Sequence, residues 1–217
     1  MKSIVTLFLA CLLVGQSFSV LAEDQAKTYV AGKDYEVLPE PVVTRNKHKV
    51  EVVELFWYGC PHCFEFEPML EAWKAKLPPV ADYYQMPAMW SSKMELHAKG
   101  FYVAKALGIL DEVHEPLFNL MHVEKKRIDN RDELAAFFKR FGVDKDAFDR
   151  TFDSFSVESQ INIAKSRAVS YHMQGTPELI VNGKYRVSTT MAGSQANMLK
   201  IASFLIEQES KKLPKKK

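Results

Sequence analysis

The stretch Val50-Glu51-Val52-Val53-Glu54-Leu55-Phe56-Trp57-Tyr58-Gly59-Cys60-Pro61-His62-Cys63 decides how this chain is read. Val50 to Tyr58 is rich in β-branched and aromatic residues, the pattern of a buried strand. Gly59 breaks it. From Cys60 to Leu77 the pattern turns helical, with Phe66, Met69, Leu70, Trp73 and Leu77 on one apolar face. Pro68 lies inside that helix and is expected to kink it. Pro78-Pro79 ends it, and Val80 to Met86 reads as a second, weaker strand.

A cysteine that opens a helix after a strand and a glycine sits in a specific electrostatic setting. The first helical N–H groups lack partners there and the macrodipole is positive, so a thiolate at Cys60 is favoured over a thiol. Pro61 suits the first helical position, where its missing N–H costs nothing. His62 adds a donor or a positive charge beside the sulfur. Cys63 follows one turn later on the same side, which brings the two sulfurs within disulfide reach. Stabilising the thiolate favours the reduced pair, so the Cys60–Cys63 disulfide becomes a better oxidant and Cys60 a better leaving group. Cys60 is then the attacked sulfur and Cys63 the resolving partner.

Composition narrows the alternatives. The chain has 217 residues, 47% hydrophobic, with Lys+Arg 29 against Asp+Glu 27. That is an ordinary globular balance, which excludes a disordered or collagen-like chain. A net charge of +2 gives no support to nucleic-acid binding. Three cysteines are too few for a disulfide scaffold or a four-cysteine zinc cluster. A zinc half-site at Cys60 and Cys63 needs two more ligands, and His48, His97, His114, His122 and His172 are scattered, with ordinary surface or core roles expected. A cysteine-protease pairing with a distant histidine leaves the second cysteine unexplained. No cofactor and no metal are expected.

The N-terminus carries a secretory pattern. Lys2 precedes an apolar run from Ile4 to Val14, Val20-Leu21-Ala22 offers small residues for cleavage after Ala22, and Glu23-Asp24 follows. A lipoprotein reading would acylate Cys11, but Phe8-Leu9-Ala10 is a poor lipobox. Cleavage removes Cys11 and leaves Cys60 and Cys63 alone in an oxidising compartment. A bridge between them closes a tiny loop and constrains the unfolded chain little, so a redox role outweighs a structural one.

Outward from this centre, Tyr35 to Leu38 is a short extended piece. A helical block without strand signals runs from about Ser91 to Phe155. In it, Glu95 to Leu107 and Asp111 to Met121 are helical in pattern. Asn130 with Glu133 begins a helix carrying Leu134, Phe137, Phe138 and Phe141. Gly142 stops it, and Asp144 caps a helix with Phe148, Phe152 and Phe155 aligned. Ser156 to Met173 is a longer helix. After Gly175-Thr176-Pro177, Glu178 to Val181 and Lys184 to Val187 flank Asn182-Gly183, a type I′ hairpin signal. Ser194 to Gln208 is the final amphipathic helix, and Lys215-Lys216-Lys217 reads as a solvated tail. The order describes an α/β sheet with helices on both faces and a helical insertion.

Glu54 stands out within an apolar strand, six residues before Cys60. It is either a strand-edge residue reaching water, or a proton acceptor or electrostatic modulator beneath the cysteines.

The run Phe56 to Cys63, the Phe64-Glu65-Phe66-Glu67-Pro68 helix, and Gly175-Thr176-Pro177 before a strand-Asn-Gly-strand resemble the DsbA family, periplasmic thiol:disulfide interchange proteins of the thioredoxin-like superfamily. The resemblance implies a thioredoxin fold with an inserted α-helical domain. The expected division is a signal peptide at 1–22, thioredoxin-like parts at 23–90 and 157–217, and the insertion at 91–156. It implies oxidation of reduced exported proteins, with reoxidation by a DsbB-like inner-membrane partner, by a protein that is a monomer. It implies a cis Thr176-Pro177 bond facing the disulfide, where residue statistics alone favour trans. Gly175, Thr176 and Pro177 would then border the client site, the Thr176 main chain pairing with an extended segment. Glu54 matches the family's acidic residue near the buried cysteine, but the partner lysine expected on the next strand has no match between Val80 and Met86. The rivals are an isomerase or reductase, which would carry an extra dimerisation domain ahead of this core, and a non-catalytic chaperone module.

Overall fold

The computed structural model describes residues 28–214. The expected leader at 1–22 with Cys11, and Lys215-Lys216-Lys217, lie outside them. The centre is a five-stranded sheet of β1 (Glu36–Val37), β2 (Val50–Phe56), β3 (Ala81–Pro87), β4 (Glu178–Val181) and β5 (Tyr185–Ser188), in the order β1-β5-β4-β2-β3. β2 is buried throughout, between β3 in parallel and β4 antiparallel, so its apolar run has no water-facing side. The parallel step requires a crossover, and α1 (Pro61–Lys74) supplies it.

Successive side chains alternate across the sheet and build two cores. Val50 and Val52 face Phe66 and Leu70 of α1 and Met198, Ile201 and Leu205 of α8 (Gln195–Ser210). Val53 and Leu55 face the helical block, where α2 (Ser92–Ala106), α3 (Leu110–His122), α4 (Arg131–Phe138), α5 (Lys145–Phe152) and α6 (Phe155–Ser170) contribute Phe101, Leu117, Phe138, Phe148 and Ile161. Helices on both faces and an inserted helical stretch were the expectation from sequence, and this is the fold.

Local signals held where a cap or turn residue decided them. Asn130, Asp144 and Ser194 each cap a helix through the side chain. Phe155, expected on the stripe of the helix capped by Asp144, instead opens α6 behind a Ser154 cap and is exposed. Asn182 and Gly183 both take positive φ, at 52° and 62°, as a two-residue type I′ turn requires. The end of α1 differs from the expected Leu77. Leu77 precedes Pro78 and is barred from α geometry, so the last turn tightens through Lys76 N–H to Trp73 O at 3.0 Å and Leu77 N–H to Lys74 O at 3.1 Å. Pro68 lies within α1, which runs continuously past it. The short α7 (Thr189–Ala192), between β5 and α8, has too few residues to leave a periodic signal.

Candidate active site

Cys60 is the N-cap of α1, with extended backbone (φ −86°, ψ 115°), and its sulfur accepts the Cys63 N–H at 3.3 Å. Pro61 occupies the first helical position. Both cysteines are free thiols. Cys60 keeps 6% exposure and Cys63 none, so only the first sulfur is open to a client. The Cys60 thiol is drawn down to about 5, chiefly by its hydrogen bond with the Cys63 side chain. Burial opposes this, while bonds from the Thr176 side chain and the N–H groups of Cys63 and His62 assist it. Burial pushes the Cys63 thiol far up, and the bond to Cys60 and its charge push the same way. At neutral pH the pair therefore holds one thiolate, on Cys60.

His62 contributes differently from the expectation. Its imidazole is 74% exposed and pairs with Glu65 Oε2 at 3.3 Å. Its main chain serves the sulfur through the N–H, while its C=O accepts Gln195 Nε2 of α8 at 2.6 Å.

The water-reaching reading of Glu54 is overturned. The residue is fully buried on a central strand, facing α1. Its Oε2 accepts Tyr83 Oη at 2.6 Å and Gln85 Nε2 at 2.9 Å, and Oε1 has no partner among the described residues. Burial first, then the charge of Glu67, raises its acid to about 8, against the two hydrogen bonds and the charge of Lys74. β3 indeed carries no lysine. Tyr83 on β3 bonds to the carboxylate instead, and Lys74 acts on it from the end of α1. The Glu54 charge is also felt at Cys63, which places the two groups in one electrostatic unit.

Three of the scattered histidines gather at the end of β2. His114 Nδ1 meets Tyr58 Oη at 2.8 Å, and its Nε2 lies 2.9 Å from Gln85 Nε2 and 3.4 Å from Glu67 Oε1. His122 Nε2 donates to Tyr58 O at 2.7 Å, and His97 accepts Trp57 Nε1 at 3.0 Å. All three come from the helical block, which thus grips the turn leading to Cys60. His48 and His172 are exposed.

The loop before β4 closes the site. Thr176-Pro177 is a cis peptide, and the Thr176 C=O accepts the Cys60 thiol at 3.4 Å. Gly175, Thr176 and Pro177 line a groove of about 680 Å³ with His62, Glu65 and Gln195. Sequence reasoning missed Glu67, Lys74, Tyr83, Gln85 and His114. Glu67 had a signal, since positions 60, 63 and 67 share one helix face. Gln85 and His114 had none, because strand register and the docking of α3 bring them in.

Comparison with known proteins agrees with this geometry. The DSBA-like thioredoxin domain profile matches residues 70–200, beginning after the cysteine pair. The thiol:disulfide interchange protein DsbA of Azotobacter vinelandii is 39% identical over 207 residues, covering 94% of this chain and 97% of that protein. That of Pseudomonas aeruginosa strain PAO1 is 40% identical over 200 residues, covering 92% and 94%. The crystal structure of Pseudomonas aeruginosa DsbA superposes with a TM-score of 0.80 at 40% identity, over 85% of this chain and 96% of that one. The DsbA of Xylella fastidiosa gives 0.78 at 32% identity, over 83% and 97%. Matched along nearly its whole length in both sequence and structure, the chain belongs to the DsbA family of thiol:disulfide oxidoreductases.

Proposed function

We propose that the protein works in the direction of oxidation, donating the Cys60–Cys63 disulfide to reduced exported proteins in the periplasm. The observation that carries this reading is the split between a Cys60 thiol held at about 5 and a Cys63 thiol held far above it. A client thiolate attacks Cys60 Sγ, a mixed disulfide forms, and the Cys60–Cys63 bond breaks with its electron pair on Cys63. Cys63 cannot remain a thiolate in its buried place, so it takes a proton. Glu54, with an acid near 8, holds one at neutral pH and is the donor in this scheme. A second client thiolate attacks the client sulfur of the mixed disulfide, and Cys60 leaves as the stabilised thiolate. The client gains one disulfide and the protein two reduced sulfurs.

The groove beside Gly175, Thr176 and Pro177 receives the client segment, with His62 on its rim. The leader is cleaved after Ala22, residues 91–156 form the helical insertion, and the protein acts as a monomer. A DsbB-like inner-membrane partner removes the two electrons that each turnover leaves on the cysteines. The test uses oxidised protein and a peptide with two thiols. Stoichiometric peptide oxidation is expected, and abolished in both Cys60→Ala and Cys63→Ala, neither of which can hold the disulfide; Cys63→Ala whose Cys60 carries a preformed mixed disulfide with a small thiol should release that thiol and take up the peptide. Membranes containing the reoxidant should then restore the disulfide, and membranes lacking it should not. Peptide left reduced by the oxidised protein would overturn the reading.

A further inference from the structure

Glu178 directly follows Pro177 and opens β4, and no step above uses it. Its side chain is 3% exposed, an expensive place for a carboxylate without partners. From β5, Arg186 Nη1 donates to Glu178 Oε1 at 3.1 Å, while Nη2 pairs with Glu36 of β1. Glu178 Oε2 accepts the Gln174 N–H at 3.4 Å, and the Gly175 N–H also bonds to the carboxylate. Arg186 is 5% exposed, and its Nε has no partner among the described residues. The carboxylate therefore joins a charged group on the sheet to the two amides just before Thr176. The Thr176 C=O in turn accepts the Cys60 thiol, so the position of this loop fixes what covers the sulfur. Glu36, Glu178 and Arg186 line the same groove as Gly175, Thr176 and Pro177.

Buried ion pairs contribute little stability compared with apolar packing of the same volume. The place of this one, against the loop that faces the reactive sulfur, is what needs an explanation. We propose that Glu178, held by Arg186, is a positioning residue for thiol–disulfide exchange: it clamps the Gln174 and Gly175 amides and so sets Thr176 against Cys60 and the incoming client. The proposal rests on the reading that Cys60 exchanges with clients beside this loop. Burial first raises the Glu178 acid to about 7, against Arg186 and the two loop amides, with Glu36 adding to the rise. The other charged groups bordering it are Arg186 on β5, Glu36 on β1, and His62 and Glu65 of α1 across the groove; the residue opposite on β2 is the uncharged Leu55. The clamp is thus complete above about pH 7 and loosens below it, as the carboxylate gains a proton.

Glu178→Gln keeps the shape and removes the charge. Glu178→Gln with Arg186→Met removes both buried charges, in case the single variant folds poorly. Three readouts are compared with wild type: the alkylation rate of Cys60 in the reduced protein at pH 8 and pH 6, KM and kcat for a reduced peptide, and melting temperature. At pH 8 Cys60 is a thiolate in both proteins, and loosening the loop uncovers its sulfur, so alkylation should run severalfold faster in Glu178→Gln and converge on wild type at pH 6. KM at pH 8 should rise about tenfold, converging on wild type at pH 6, where the wild-type clamp is itself protonated. A lower melting temperature with an unchanged Cys60 alkylation rate and unchanged KM at pH 8 would reduce Glu178 to a structural brace and overturn the proposal. Wild-type protein that fails to oxidise the peptide would instead overturn the parent reading, while the Cys60 alkylation rate at pH 8 still tests the clamp.

Discussion

The lowered Cys60 thiol makes redox state and stability one measurement. Reduced and oxidised protein differ by two thiols, and only the reduced form gains from a stabilised thiolate. The folded value is about 5 against an ordinary 9.0. Because the folded value is the lower one, the contribution is complete above the unfolded value and is lost as pH falls through about 5. Linkage gives about 2.7 kcal/mol at pH 7 and about 0.4 kcal/mol at pH 5. Cys60 touches solvent, so screening lowers the difference to about 1–2 kcal/mol. The disulfide also restrains the unfolded oxidised chain, by an amount that does not depend on pH, so it cancels between the two conditions. Guanidinium unfolding of each form at pH 5 and pH 7 gives the test. The reduced-minus-oxidised gap should widen by about 1–2 kcal/mol on going to pH 7. A gap that stays constant or narrows would refute the argument that thiolate stabilisation drives the oxidising power.

Other consequences follow from individual residues. Glu54 has its folded acid raised to about 8, so it costs stability as pH rises from 4.5; Glu54→Gln should gain about 2 kcal/mol at pH 7 and nothing at pH 4, while slowing release of Cys63, by denaturant titration and stopped-flow exchange. In the hairpin, a Cβ at Gly183 would lie 2.1 Å from the Val42 carbonyl oxygen at φ +62°, so Gly183→Ala should cost about 2–3 kcal/mol in chemical unfolding. Burial raises the Glu209 acid, but hydrogen bonds from Lys184, Lys212, Asn182 and Tyr185 outweigh it and bring it down to about 2. Glu209→Gln should therefore lose about 1–2 kcal/mol at neutral pH, and that deficit should close in acid unfolding as pH falls from 4.5 toward 2.

Local chemistry was legible in the residues alone. The strand-glycine-cysteine step, the caps at Asn130, Asp144 and Ser194, and the Asn182-Gly183 turn are each settled by a few neighbouring residues, because a cap or a turn answers to backbone geometry within one or two turns. The lowered Cys60 thiol was legible for the same reason, since the helix N-terminus that favours it lies in its own sequence. The surroundings of Glu54 were not. Whether it met water depended on β2 lying between β3 and β4, and its partners Tyr83 and Gln85 on the register of β3. Likewise, nothing near Tyr58 in the chain announces His114 and His122, which arrive when α3 docks. Nor does anything near Pro177 announce that Glu178 and Glu36 will share the Arg186 charge, which follows from β5 pairing with β4 and β1. A buried charge takes its free energy from whatever the fold brings within a few ångströms, and for these groups the partners come from distant segments, so only the tertiary structure decided them.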